Sequence, residues 1–144
     1  MNRFSYPISL LPEKEGGFVV HFRDLAEAIT QGDTVEECLA EASDCLEEAI
    51  AARIDDRLNI PEPSELQDSE YLVAVPLQMA LKAALYIEIQ ASGLSNTRLG
   101  ELLGKDEKEI RRILDPHHGT KLQTLETALL ALGKRPELHL QELR

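Results

Sequence analysis

The sequence predicts an α+β module followed by an all-α module, and three observations carry that expectation. An alternating apolar pattern opens the chain, a long helical pattern rich in acids follows, and beyond Pro76 the texture becomes helical with no alternation. With 144 residues and 43% hydrophobic content the chain can bury one ordinary core or two small ones.

Residues 3 to 11 alternate, with Phe4, Tyr6, Ile8 and Leu10 on one side, which is a strand pattern. Residues 13 to 17 form a turn with backbone freedom from Gly16 and Gly17, and Phe18, Val20 and Phe22 resume one face, so the two runs read as a hairpin. A connection through Leu25, Ala28 and Ile29 leads to Thr34 and Glu37, whose spacing is that of a capping box at a helix start. In that helix Val35, Leu39, Ala42, Leu46, Ala49 and Ile50 recur at three and four residues, while Glu36, Glu37, Glu41, Asp44, Glu47 and Glu48 fall mostly on other faces. Pro61 and Pro63 stop it, and residues 71 to 75 alternate like a returning strand.

The expected domains are 1–75 and 76–144. The second opens with a helix from Leu77 to the Ser92-Gly93 stop. Ser95 then caps a short helix with Leu99, Leu102 and Leu103 inward, Gly104 breaks it, and Asp106 caps the next, whose inner face is Ile110, Ile113 and Leu114. Thr120 and Gln123 have the spacing of another capping box, ahead of a last helix with Leu122, Leu125, Leu129 and Leu132 that ends at Gly133. Past Pro136, Leu138, Leu140 and Leu143 suit an edge strand, a contact with a second subunit, or a frayed terminus.

Charge divides along the same line. Residues 1–70 hold 5 cations and 17 acids, 5 − 17 = −12, and residues 71–144 hold 10 and 9, 10 − 9 = +1, which sum to the net −11. An acidic module attracts basic partners and repels nucleic acid, although a charge run is more often a solvated face. In the second module two short helices meet at a tight turn, the arrangement of a helix-turn-helix. Lys108, Arg111 and Arg112 fall opposite the inner face, where they can meet phosphates and base edges of double-stranded DNA, with Thr97, Lys105 and Lys121 as flanking phosphate contacts. The competing reading is a packed bundle whose basic stripe is diluted by Asp106, Glu107 and Glu109. One such module has a small footprint, so useful operator affinity needs a dimer.

Other classes find less support. No run reaches the roughly 18 apolar residues of a spanning helix, so no membrane is expected and the reading is cytoplasmic. Cys38 and Cys45 lie about 10 Å apart along one helix face, too far for a disulfide, and suit buried thiols rather than a zinc site. No catalytic residues, metal site or cofactor are expected, because the acids lie along a helix rather than converging from strands and no nucleophile triad or phosphate loop is present.

Residues 16 to 42, GGFVVHFRDLAEAITQGDTVEECLAEA, are similar to the core of HicB antitoxins, and residues 94 to 133 resemble the helix-turn-helix appended to one HicB subgroup. One departure is Ala26-Glu27-Ala28, where many members carry Pro-Gly-Cys. The resemblance implies a partial ribonuclease-H-like sheet lacking that fold's catalytic carboxylates. It also implies a HicA-like toxin as partner, a small basic mRNA interferase inhibited by steric and electrostatic cover, and repression of the operon through operator DNA by a homodimer or homotetramer. By region it places toxin contacts near Phe18, His21, Phe22, Asp24 and Glu27. The alternatives are a transcription regulator whose first module senses a ligand, and a metal-dependent nuclease.

Overall fold

The computed structural model describes residues 2–143. It is α+β, in the order β1 (Ser5–Pro12), β2 (Phe18–Phe22), β3 (Ile29–Gly32), α1 (Val35–Asp55), β4 (Tyr71–Ala74), then α2 (Leu77–Ser92), α3 (Asn96–Leu103), α4 (Glu107–Leu114) and α5 (Leu122–Ala131). Two compact units result, residues up to Ala83 and residues from Ala84 onward, divided inside α2.

The first unit is a four-stranded antiparallel sheet ordered β3-β2-β1-β4. The hairpin turn uses Gly16 and Gly17 at φ 97° and 78°, a region closed to most side chains. Register places Ile8 opposite Phe22, Leu10 opposite Val20, and Tyr6 opposite Val73, so the even positions of β1 and β2 share one face with Val73. Tyr6, Ile8, Val20, Phe22 and Val73 are buried there with Cys38, Ala42, Leu46, Ala49, Ile50 and Ile54 of α1. Leu10, expected in that core, is only half-buried near the hairpin end.

The strand β3 lies in a stretch that the sequence presents as a connection. Its four residues carry one large apolar side chain, and that one, Ile29, points outward and is exposed. What makes it a strand is pairing with β2 and a glycine: a Cβ on Gly32 would stand 2.9 Å from both the Cys38 amide nitrogen and its sulfur, so only glycine lets the edge strand run against the head of α1. The expected cap is present, with Thr34 Oγ1 accepting from the Glu37 amide at 3.1 Å. Glu37 reaches back to the amide of Asp33 at 3.2 Å, one residue before the cap. Cys38 is buried and Cys45 half-buried, both free thiols, and burial pushes both pKa values up.

Between α1 and β4 the chain runs from Asp56 to Glu70 without regular structure, yet it is fastened along its length. Arg53 Nη1 donates to Asn59 O at 2.7 Å. Arg3 donates to Ile60 O and Pro61 O, and the Tyr6 hydroxyl donates to Pro61 O at 2.6 Å. Asp24 accepts from the Ser64 amide and hydroxyl, while Arg23 donates to Glu65 O and forms a two-pronged pair with Glu70 at 2.7 and 3.2 Å. Burial pushes the Tyr6 phenol up, keeping it a donor. Ile60 and Pro63 are buried beneath these bonds. Among the described residues no buried side-chain polar atom lacks a partner.

In the second unit Ser95 and Asp106 cap α3 and α4 by accepting from the amides of Arg98 and Glu109, and Gly104 ends α3 at φ 66°. Leu99, Ile110, Ile113, Leu125, Ala128 and Leu129 are buried, whereas Leu102 and Leu122, expected inside, are 52% and 64% exposed. Short helices expose any leucine off the shared seam, and neither residue is on it. The expected cap at Thr120 is absent: Lys121 occupies the cap position without a side-chain bond, and the Thr120 hydroxyl donates to Arg112 O. Residues 134–143 form no strand.

Two outcomes test this packing. A Cβ on Gly100 would meet Lys105 O at 2.7 Å, whereas one on Gly119 meets nothing within 4 Å. Gly100→Ala therefore costs about 1–3 kcal/mol in urea denaturation followed by circular dichroism, and Gly119→Ala less than about 0.5 kcal/mol. Hydrogen bonds from Arg53 and Arg23 hold the carboxyls of Glu27 and Glu70 below their usual 4.5. Their contribution is complete above that value and lost as pH falls through the lowered ones. Melting temperature measured from pH 7 to pH 3 falls more steeply for the natural chain than for the Glu27→Gln, Glu70→Gln variant.

Candidate protein and nucleic-acid interfaces

The five residues of the first candidate site do not converge. Phe18 and Phe22 share the α1 side of β2. Phe22 is 3% exposed and belongs to the core, and Phe18 is half-buried beside Gly32. His21 points to the opposite face, where register sets it between Ser9 and Ile29. Asp24 and Glu27, just past β2, are engaged inside the unit: Asp24 holds Ser64, and Glu27 pairs with Arg53 at 2.6 and 3.0 Å.

The face around His21 carries apolar side chains that the sequence did not mark. Leu11 and Ile29 are 51% and 54% exposed, and Val19 and His21 are half-buried between them. Alternation in β1 and β2 was the available signal, because a side chain that leaves the core face of a strand must occupy the other. The α1 side of the unit differs in chemistry. With its apolar stripe turned inward, α1 exposes Glu36, Glu37, Glu41, Asp44 and Glu48, with Glu47 half-buried. One unit thus offers an apolar face around an imidazole and a separate acidic helix.

The second candidate site is more coherent. Lys108, Arg111 and Arg112 are all exposed on α4, and their spacing of three and four residues places them on one side, away from buried Ile110 and Ile113. Gly100 allows α3 to approach the turn into α4, which fixes that helix against α3. Acids cluster in the first turn of α4, where Glu107 and Glu109 suit the positive end of the helix dipole, and the arginines lie in the last turn. Thr97 and Lys121 are exposed. Lys105 is half-buried with its ammonium 3.5 Å from Glu109, a pairing that competes with any phosphate contact. Arg98, absent from the expected set, is exposed on α3 and pairs with Glu101 at 3.3 Å. Surface pairs of this kind are weak and exchange readily for other partners.

Comparison with known proteins bears on what these two candidate surfaces serve. Residues 5–84 match a family described as the HicB-like antitoxin of bacterial toxin-antitoxin systems. Antitoxin HicB of Escherichia coli strain K12 is 38% identical over 133 residues, 92% of this chain and 96% of that protein. Antitoxin HicB 2 of Photorhabdus laumondii is 42% identical over 133 residues, 92% of this chain and 94% of that one. Antitoxin HicB of Pseudomonas fluorescens is 32% identical over 133 residues, 92% of this chain and 90% of that protein. The family match covers the sheet and α1, the relatives extend across the second unit as well, and the chain belongs to the HicB-like antitoxin family.

Proposed function

We propose that this antitoxin neutralises a cognate HicA-type mRNA interferase with its first unit and represses its own operon by binding operator DNA with its second. The relatives named antitoxin HicB, matched along 92% of the chain, carry the first half of the reading. Charge supports it: a unit with 12 more acids than cations over residues 1–70 draws in a small basic protein at long range and disfavours the RNA that competes for it.

Contact is assigned to the open sheet face at His21, with Leu11, Val19 and Ile29 supplying apolar area; Phe18 and Phe22 lie on the other side of β2. Asp24 and Glu27 shape the neighbouring loop through their bonds to Ser64 and Arg53. Inhibition is by occlusion and needs no chemistry from this chain. The second half rests on the exposed stripe of Lys108, Arg111 and Arg112 on α4, the stretch that enters a major groove in helix-turn-helix proteins, with Thr97, Lys105 and Lys121 at phosphates. A symmetric oligomer, dimer or tetramer, brings two such helices to two half-sites.

Two experiments test the halves separately. In gel shifts on the operon's own promoter, Arg111→Ala with Arg112→Ala weakens binding by about 1–3 kcal/mol for each arginine that reads a base edge, and the salt dependence becomes shallower for each one that meets a phosphate. Unchanged shifts and salt slope remove the DNA role from α4. In co-expression with the neighbouring toxin gene, that double variant still protects cells, while Ile29→Asp with His21→Asp on the open face does not. Protection by the open-face variant with its fold intact by circular dichroism relocates the toxin contact.

A further inference from the structure

The sheet face turned away from α1 is short of charge as well as apolar. Register sets two cross-strand rows side by side on it, Leu11–Val19–Gln31 and Ser9–His21–Ile29. His21 is the one titratable side chain in these rows, and among the described residues its ring has no hydrogen-bond or ion-pair partner. Arg23, two residues further along the chain, is already paired with Glu70 at 2.7 Å. In a unit with 12 more acids than cations over residues 1–70, six neighbouring positions thus hold neither an acid nor a fixed cation.

The acids of α1 are on the other side of the sheet. Glu41, Asp44 and Glu48 are exposed there, on a helix whose apolar stripe is packed against the core face. A helix is about 10 Å across, and the Debye length at physiological salt is about 8 Å. Charges placed beyond a helix and a sheet draw in an approaching cationic protein and contribute little to one already seated on the opposite face.

We propose that the toxin is held on these two rows by an uncharged, apolar patch of its own surface, which covers His21 as a neutral imidazole, while the acids of α1 speed its arrival without touching it. This rests on the reading of the open face as the toxin contact and adds the kind of surface that fits it. Leu11 and Ile29, 51% and 54% exposed, supply the area that a partner removes from water. An imidazolium in the same place would lose its hydration beneath a cationic partner, with no acid in either row to take up its charge. Binding therefore selects the uncharged ring. Free imidazoles gain their proton near pH 6.5, so this part of the affinity is complete well above that pH and lost as pH falls through it, by about tenfold at pH 5.5.

The test is the affinity of the full-length chain for the co-encoded toxin, measured by titration calorimetry from pH 8 to pH 5.5, with circular dichroism as the check on folding. The toxin's own groups titrate in every complex, so each variant is compared with its own value at pH 8. The natural chain loses about tenfold more affinity over this range than His21→Gln does, and at pH 6 it releases more protons on binding, read from the heats in two buffers of different ionisation enthalpy. His118→Gln, in the second unit, follows the natural profile. In stopped-flow mixing at low salt, Glu41→Gln with Asp44→Asn and Glu48→Gln slows association about threefold and leaves the dissociation rate unchanged. Equal pH profiles for the natural chain and His21→Gln overturn the proposal, as does affinity that rises on acidification in the natural chain alone, or faster dissociation of the α1 variant. Ile29→Asp separates this from the reading beneath it. If that variant binds toxin as the natural chain does, the open face is removed altogether; weakened binding with equal pH profiles leaves the contact in place and strikes only the neutral-imidazole patch.

Discussion

Burial of a single stripe of α1 against a single face of the sheet governs the first unit. Because Cys38, Ala42, Leu46, Ala49, Ile50 and Ile54 must meet Tyr6, Ile8, Val20 and Phe22, every acid of the helix is turned to the outside or the flanks. The same requirement leaves the far side of β2 and β3 to His21, Val19 and Ile29. Packing thus separates an acidic surface from an apolar one without any residue being placed for that purpose alone. At Gly32 the end of β3 and the head of α1 touch backbone to backbone.

Much of the unit's small cationic content is used internally. Arg3, Arg23 and Arg53 fasten the 56–70 connection to β1, to the end of β2 and to α1, and two of them neutralise Glu70 and Glu27 in doing so. A connection of this length would ordinarily be mobile, and the guanidinium forks satisfy its carbonyls where no secondary structure does. The remaining surface keeps its negative balance, which suits attraction of a basic protein. In the second unit Lys108, Arg111 and Arg112 are exposed on α4 while Ile110 and Ile113 hold that helix in place.

Local patterns were legible wherever one residue answers to one backbone requirement. Gly16, Gly17 and Gly104 mark left-handed positions, Thr34, Ser95 and Asp106 accept from helix amides, and the alternation of Tyr6 and Ile8 locates the sheet's core face. The family of the chain was legible for the same reason, in the stretch from Gly16 to Ala42. What escaped depended on distant partners. Strand β3 exists through β2, and Thr120 gave up its capping role to the carbonyl of Arg112. The longer fasteners join residues 26 to 58 positions apart, at separations where spacing carries no information. Among the candidate contacts, Phe22 carries the right residue type for an interface, yet the pairing of Ile8 with Phe22 commits it to the core.

In the proposed function, toxin and operator are met by different units of one chain. Hydrogen–deuterium exchange of the full-length protein, alone, with the co-encoded toxin and with an operator duplex, measures that division directly. Toxin is expected to protect amides of β2, β3 and the loop between them and to leave α4 unchanged, and the duplex to protect α3, α4 and the turn at Gly104. Protection of α4 by toxin in the absence of DNA, or protection by the duplex confined to residues before Ala83, would contradict it.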